Sequence, residues 1–149
     1  HILITHRDDQ KTLRDAPDKL PDAIQEMFRY EPPLPFFHRH ATKEIELRGR
    51  TFPAGTTFGL LYGAANRDGA HFENADTFTI DRSPNRHLAF GRGAHLCLGN
   101  HLARLNMKVI FETLLRRFSH FEILDAPVAY KQGLSVRGPQ ALHINWNAA

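Results

Sequence analysis

The chain has 149 residues, 42% hydrophobic and 23% charged, which is enough for one compact domain with a real core and excludes wholesale disorder. Nineteen lysines and arginines against sixteen acidic residues leave a net charge of +3 without a dense basic block, so nucleic-acid binding has little support. The longest apolar stretch, Phe58 to Ala65, falls short of a bilayer span, and a single cysteine excludes an internal disulfide and any multi-cysteine zinc or iron–sulfur site.

The opening His1-Ile2-Leu3-Ile4-Thr5-His6 has no initiating Met and no signal-peptide layout, and reads as a cut through a longer chain. A charged, partly amphipathic helix is expected over Asp8–Arg14, stopping before Pro17. A second runs from Pro21 to Tyr30. Proline suits its first turn, Asp22 favours the positive end, and Ile24, Met27 and Phe28 form an apolar stripe. Pro32-Pro33 ends it. Extended structure follows: Glu44–Leu47 alternates in polarity, Arg48-Gly49-Arg50 and Pro53-Ala54-Gly55 supply turns, and a strand covers Thr57–Tyr62. From Asn66 to Leu88 periodicity fades, and a coil of that length inside a compact domain points to function. A long helix begins just after Cys97 and continues to about Arg117, with Leu98, Leu102, Leu105, Val109, Phe111, Leu114 and Leu115 as its buried stripe. A strand over Phe118–Leu124 and a hairpin over Leu134–Trp146, turning at Gly138-Pro139, complete the chain.

The segment from Phe90 to Gly99 joins irregular backbone to a helix N-terminus, where the dipole and free N–H groups favour a thiolate at Cys97. If Cys97 holds a metal macrocycle, Gly91, Gly93 and Gly99 let backbone approach that flat ring where a Cβ would collide, and they permit positive φ. Phe90 can pack beside the sulfur, and His95 can hydrogen-bond a carboxylate at the ring edge.

The pattern Phe90-Gly91-x-Gly93-x-His95-x-Cys97-x-Gly99, followed by Leu102-Ala103-Arg104, closely resembles the haem-binding signature of the cytochrome P450 family in its soluble bacterial form. Upstream, Glu26-x-x-Arg29 resembles the family's Glu-x-x-Arg motif, and residues three apart share a helix face. Asn66-Arg67-Asp68 and Asn85-Arg86-His87-Leu88-Ala89 are similar to the family's irregular meander and its approach to the cysteine loop. Many relatives carry a meander arginine where Thr77 stands, so that either the triad is incomplete here or Arg82 or Arg86 substitutes.

The resemblance implies a mainly α fold with small β-sheets (α+β), the C-terminal part of the family's fold. Residues 1–149 would be the haem-binding portion of one larger domain, cytoplasmic and without a membrane span. It implies haem b as cofactor, Cys97 as axial iron ligand, Arg39 and His95 on the propionates, and Phe90, Gly91, Gly99 and Ala103 along the ring. Glu26 and Arg29 would brace the core. Phe36, Phe37, Ser135 and Val136 fall where substrate-lining residues lie and hint at a small, apolar organic substrate, although core packing explains them equally well. No catalytic residue is expected in this chain, since the oxygen-side acid–threonine pair would precede His1. The implied activity is monooxygenation, inserting one atom of O2 into substrate with electrons from a ferredoxin or flavoprotein. Such an acidic donor would be steered by Arg92, Arg104, Lys108, Arg116 and Arg117, for which a solvated helix face is the plainer reading, with a structural role near the ring as a further alternative for Arg104.

Competing readings are a non-catalytic or degenerate haem-binding fragment and, remotely, a zinc module using Cys97, His95 and His101, which leaves the glycines unexplained. A nucleophilic Cys97 would need a positioned base and an oxyanion hole that His95 alone does not establish.

Overall fold

The computed structural model describes residues 1–124, 127–131 and 136–148. Helices α1 (Ile2–Thr5) and α2 (Arg7–Asp15) are separated at His6 (φ −115°, ψ 72°), and a short 3-10 turn over Pro17–Lys19 leads into α3 (Leu20–Tyr30). Pro21 sits in the first turn of α3, where a missing N–H costs nothing, and Arg29 sits in the last turn. The helix buries Leu20, Ala23, Ile24, Met27 and Phe28, a stripe at helical spacing that forms the centre of the core. Leu3, Leu13, Phe78, Ile80, Ala89, Leu115 and Phe121 close around it.

Three small antiparallel sheets follow. Strands β1 (Phe37–His40) and β4 (Thr57–Leu60) pair with Phe37 opposite Leu60, and they enclose the hairpin of β2 (Ile45–Leu47) and β3 (Arg50–Phe52). The β2–β3 turn is two residues long, and both Arg48 (φ 51°) and Gly49 (φ 73°) adopt the left-handed backbone that such turns need to match strand twist. The expected strand over Thr57–Tyr62 is shorter than its pattern, because Tyr62 turns into the four-residue helix α4 (Tyr62–Ala65).

The long helix α5 (Asn100–Arg117) is present, but its buried face is not the expected one. Leu115 is buried and Phe111 and Leu114 are half-buried. Leu98, Leu102, Leu105 and Val109 are 99%, 61%, 56% and 53% exposed. Ala103, Met107, Phe111 and Leu115, four residues apart, are the ladder that meets the core. The helix carries two apolar faces, so periodicity alone could not say which one α3 would cover.

Strands β5 (Phe118–Ile123) and β6 (Ile144–Ala148) form the third sheet, with Phe121 opposite Trp146. Gln10, 1% exposed, stitches α2 to this edge by donating to the carbonyls of Leu3 (2.8 Å) and Phe121 (3.0 Å) and accepting from the Phe121 N–H. Of the expected hairpin over Leu134–Trp146, residues 134 and 135 lie outside the described residues, and the described part enters two other pairings. Trp146 belongs to β6, and Gly138-Pro139 is not a turn tip but lies across from Tyr130 and Lys131. A Gly-Pro pair marks a break in periodicity, and here that break is an irregular bridge. Among the described residues no helix is long and apolar enough to cross a membrane.

Candidate functional site

The long coil after α4 is held by two side chains of α3. Irregular backbone must find hydrogen-bond partners when buried, and Arg29 supplies them. Both Arg29 and Glu26 are 0% exposed. Arg29 uses every N–H of its guanidinium: Nε and Nη2 donate to the two Glu26 oxygens at 2.7 Å, Nη1 to the carbonyls of Asn66 (2.8 Å) and Ala75 (2.6 Å), and Nη2 also to Thr77 (3.0 Å). Glu26 in turn accepts from Arg82 Nε (3.1 Å), the Thr79 N–H (3.0 Å) and Asn85 Nδ2 (2.9 Å). Burial would raise the Glu26 pKa, but hydrogen bonds from Arg29 and Arg82 and the Arg29 charge outweigh it and hold the carboxyl below its usual 4.5.

This arrangement settles the substitution of the meander arginine. Arg82, not the exposed Arg86, completes the ion cluster, while Thr77 contributes its carbonyl to both arginines. Asn66, 0% exposed, was not singled out by sequence, yet its Oδ1 accepts from the Leu88 N–H at 2.7 Å and so aims the chain into the cysteine loop. The only cue was its place in Asn66-Arg67-Asp68.

The loop itself is fixed by its own backbone. The Cys97 N–H donates to the Phe90 carbonyl at 2.9 Å, Leu96 N–H to Gly93 at 3.0 Å, and Gly91 N–H to Leu88 at 2.9 Å. Gly91 (φ 67°) and Gly93 (φ 69°) are left-handed, as expected, whereas Gly99 (φ −84°) is an ordinary residue ahead of α5. A Cβ on Gly91 would lie 3.3 Å from the His95 carbonyl, and one on Gly99 would meet nothing within 4 Å. Gly91→Ala is therefore expected to lower stability by about 1–2 kcal/mol, while Gly99→Ala leaves the chain's own melting temperature unchanged; equal melting temperatures for the two variants would refute this reading of the loop.

Cys97 is exposed, and so are Leu96 (53%), Leu98 (99%) and Leu102 (61%) around it. Its carbonyl accepts from Asn100 Nδ2 at 2.7 Å and from the Asn100 N–H at 3.2 Å. One soft sulfur donor presented among exposed leucines fits the axial face of an apolar iron macrocycle. Among the described residues no three His, Cys, Asp or Glu side chains come together as the zinc reading would require. His95 ends the short 3-10 turn Gly93–His95 and is exposed, free to meet a carboxylate outside the chain.

Phe90 turns its ring toward the seam between α3 and α5, meeting Phe28 (4.7 Å between centroids) and His87 (5.9 Å), with the Arg104 guanidinium 4.5 Å from its centre. Ala103 is half-buried against the core. Arg39, half-buried on β1, donates to the His38 carbonyl (2.8 Å) and lies over the Phe37 ring. Phe36 packs across Gly59, Phe37 is 39% exposed and Val136 60% exposed. The Arg137 N–H donates to the Pro33 carbonyl at 2.8 Å and brings the 136–138 segment beside the stretch that carries Phe36. Ser135 lies outside the described residues.

His87 is the strongest perturbed group near the loop. The Ala89 N–H donates to its Nδ1 (3.2 Å), so Nε2 carries the proton and donates to Gln25 Oε1 (3.2 Å). Burial, followed by the Arg104 charge, lowers its pKa from 6.5 to about 4. The unfolded chain therefore takes up a proton between pH 6.5 and 4 that the folded chain refuses, and stability falls as pH drops through that window. A loss of about 2 kcal/mol, discounted for partial exposure, is expected between pH 7 and 4.5. His87→Gln should flatten the urea midpoint across most of that range, with the acid loss of carboxylates such as Glu26 remaining at its lower end. A variant profile as steep as the parent's would exclude His87 as the cause.

The family model for cytochrome P450 matches residues 6–143. Over 150 residues the chain is 38% identical to the mycinamicin IV hydroxylase/epoxidase of Micromonospora griseorubida, covering 98% of this chain and 38% of that protein. It is 39% identical over 143 residues to the steroid C26-monooxygenase of Mycolicibacterium smegmatis, covering 95% and 36%. Among solved structures, P450BioI in complex with hexadec-9Z-enoic acid ligated acyl carrier protein aligns with a TM-score of 0.94 at 38% identity, covering 98% of this chain and 38% of that one. The haem domain of CYP116B5 from Acinetobacter radioresistens aligns at 0.94 and 35% identity, covering 98% and 36%. The chain thus spans between 36% and 38% of the length of these relatives. With the cysteine loop, the Glu26–Arg29 pair and the family match over 6–143 in agreement, the chain belongs to the cytochrome P450 family, whose cofactor is haem b.

Proposed function

We propose that this chain is the haem-anchoring C-terminal portion of a single larger domain that works as a haem-thiolate monooxygenase. The observation that carries the reading is the exposed Cys97 thiol, held at the end of a backbone-bonded loop and bordered by exposed Leu96, Leu98 and Leu102. Haem b, when bound, supplies the dioxygen chemistry by which one oxygen atom enters an organic substrate and the other leaves as water.

The chain's own residues do the holding. Cys97 Sγ would bind the haem iron, and the hydrogen bond that ties its N–H to the Phe90 carbonyl limits how far the sulfur can move. Leu96, Leu98 and Leu102 would pack against the bound ring and keep water away from the sulfur. Arg39 and His95 would hold the propionates by charge and hydrogen bond, and Gly91, Gly99 and Ala103 would leave room along the ring. Glu26, Arg29 and Arg82 keep the coil that delivers the loop in one conformation. Phe36, Phe37 and Val136 line the substrate side, and their chemistry suits a small apolar molecule. The exposed Arg92, Lys108, Arg116 and Arg117 steer an acidic ferredoxin or flavoprotein, whereas Arg104 is engaged internally. The acid–threonine pair for proton delivery comes from the remainder of the domain, which also covers Leu105 and Val109.

A second reading, a haem-binding fragment without turnover, is motivated by the limited share of its relatives that the chain spans. One experiment separates them. The intact protein and the 149-residue chain are each loaded with haem, reduced and exposed to carbon monoxide. A red-shifted thiolate-type Soret band in both, with turnover only in the intact protein, is expected. A thiolate band without turnover in the intact protein favours the fragment reading, and an imidazole-type band sinks both.

A further inference from the structure

Gln25, one residue before Glu26, faces the other way and joins α3 to the start of α5. Its Oε1 accepts from Arg104 Nε at 3.1 Å and from His87 Nε2 at 3.2 Å. Arg104 Nη1 donates to Asn100 Oδ1, one helical turn back. That bond decides how the Asn100 amide is oriented: with Oδ1 engaged, Nδ2 is aimed at the Cys97 carbonyl, 2.7 Å away. Asn100 is 6% exposed, so its amide has no water to turn toward. On its other side Arg104 places its cation 4.5 Å from the centre of the Phe90 ring, which Phe28 and His87 pack against. The Phe90 carbonyl receives the Cys97 N–H. Both polar backbone groups of Cys97 are therefore held by partners that Arg104 touches.

We propose that Gln25 and Arg104 form a positioning clamp that sets the electron richness of the Cys97 ligand, acting through Asn100 and Phe90. The proposal rests on the reading that Cys97 binds the haem iron. Its physical content is electrostatic and geometric. A guanidinium held at the base of α5 lowers the cost of adding an electron to the ligated iron, and the two-sided grip on Cys97 keeps the sulfur at one distance from it. Gln25 keeps that cation in place, because its single oxygen serves two donors that would otherwise compete with water. His87 stays neutral, with a pKa of about 4, so the clamp carries one positive charge rather than two. The sequence offered Arg104 both as a docking residue and as a structural one near the ring; its bonds to Gln25 and Asn100 favour the second.

The test uses the intact, haem-loaded protein as wild type, Arg104→Leu, Arg104→Lys, Gln25→Leu and the Arg104→Leu/Gln25→Leu double variant. Two quantities are read: the ratio of reduced to oxidised protein at a fixed applied potential, and the Soret band of the reduced carbon monoxide complex. Arg104→Leu is expected to lower the ratio about threefold or more, with Arg104→Lys recovering part of it because charge returns without the forked geometry. Gln25→Leu should shift the ratio in the same direction, and the double variant should move little beyond Arg104→Leu alone, since both act through one network. Should Arg104→Leu fail to fold, the Lys and Gln25 variants carry the comparison. An unchanged ratio with an intact thiolate band, even if the melting temperature falls, makes the clamp a mere brace and overturns the proposal; so do strictly additive shifts. Absence of the thiolate band in the wild type overturns the ligand reading itself, and the clamp with it.

Discussion

Glu26→Ala is expected to leave the chain unfolded at ambient temperature. The substitution strands the guanidinium of Arg29, which is 0% exposed. It also removes the acceptor used by Arg82, the Thr79 N–H and Asn85. Removing one partner of a buried ion pair costs about 3–5 kcal/mol, and the lost bonds to the coil add to that. A domain of this size has only about 5–15 kcal/mol in hand. Arg82→Ala should be milder, about 1–3 kcal/mol, because Arg29 still neutralises the carboxylate and the Arg82 side chain, 11% exposed, already borders solvent. Urea midpoints and far-ultraviolet circular dichroism rank the two. If Glu26→Ala unfolds at the parent's midpoint, the cluster does not hold the coil.

Cys97→Ala is expected to do the opposite. The thiol is exposed, so stability without haem should stay within about 0.5 kcal/mol of the parent. In the intact, haem-loaded protein the same change removes the axial sulfur, and the thiolate-type Soret band of the reduced carbon monoxide complex should vanish entirely. The contrast separates holding the fold from holding the iron, since Glu26→Ala loses both and Cys97→Ala only the second. A Cys97→Ala protein that retained the band would end the assignment of Cys97 as ligand.

The two variants also show why some residues were legible in advance and others were not. Cys97 and its glycines sit within ten consecutive residues, and a loop bonded to itself encodes its geometry locally; the left-handed φ at Gly91 and Gly93 needs residues without a Cβ. Glu26 and Arg29 are one helical turn apart, so their pairing was also a local fact. Their partners were not. Arg82, Asn66 and Asn85 reach α3 from an irregular coil with no period to read, and the choice of Arg82 over Arg86 depends on where that coil bends.

The sequence by itself determined the helices whose periodicity and end signals agree, the tight β2–β3 turn, the cysteine loop and the family to which they belong. Tertiary structure alone decided which face of α5 is covered, where Gly138-Pro139 falls, and which cation completes the Glu26 cluster. Backbone conformation and near-neighbour pairing depend on residues a few positions apart. The choice between two apolar faces, or between two arginines, depends on distant segments competing for the same contact, and no local pattern records who wins.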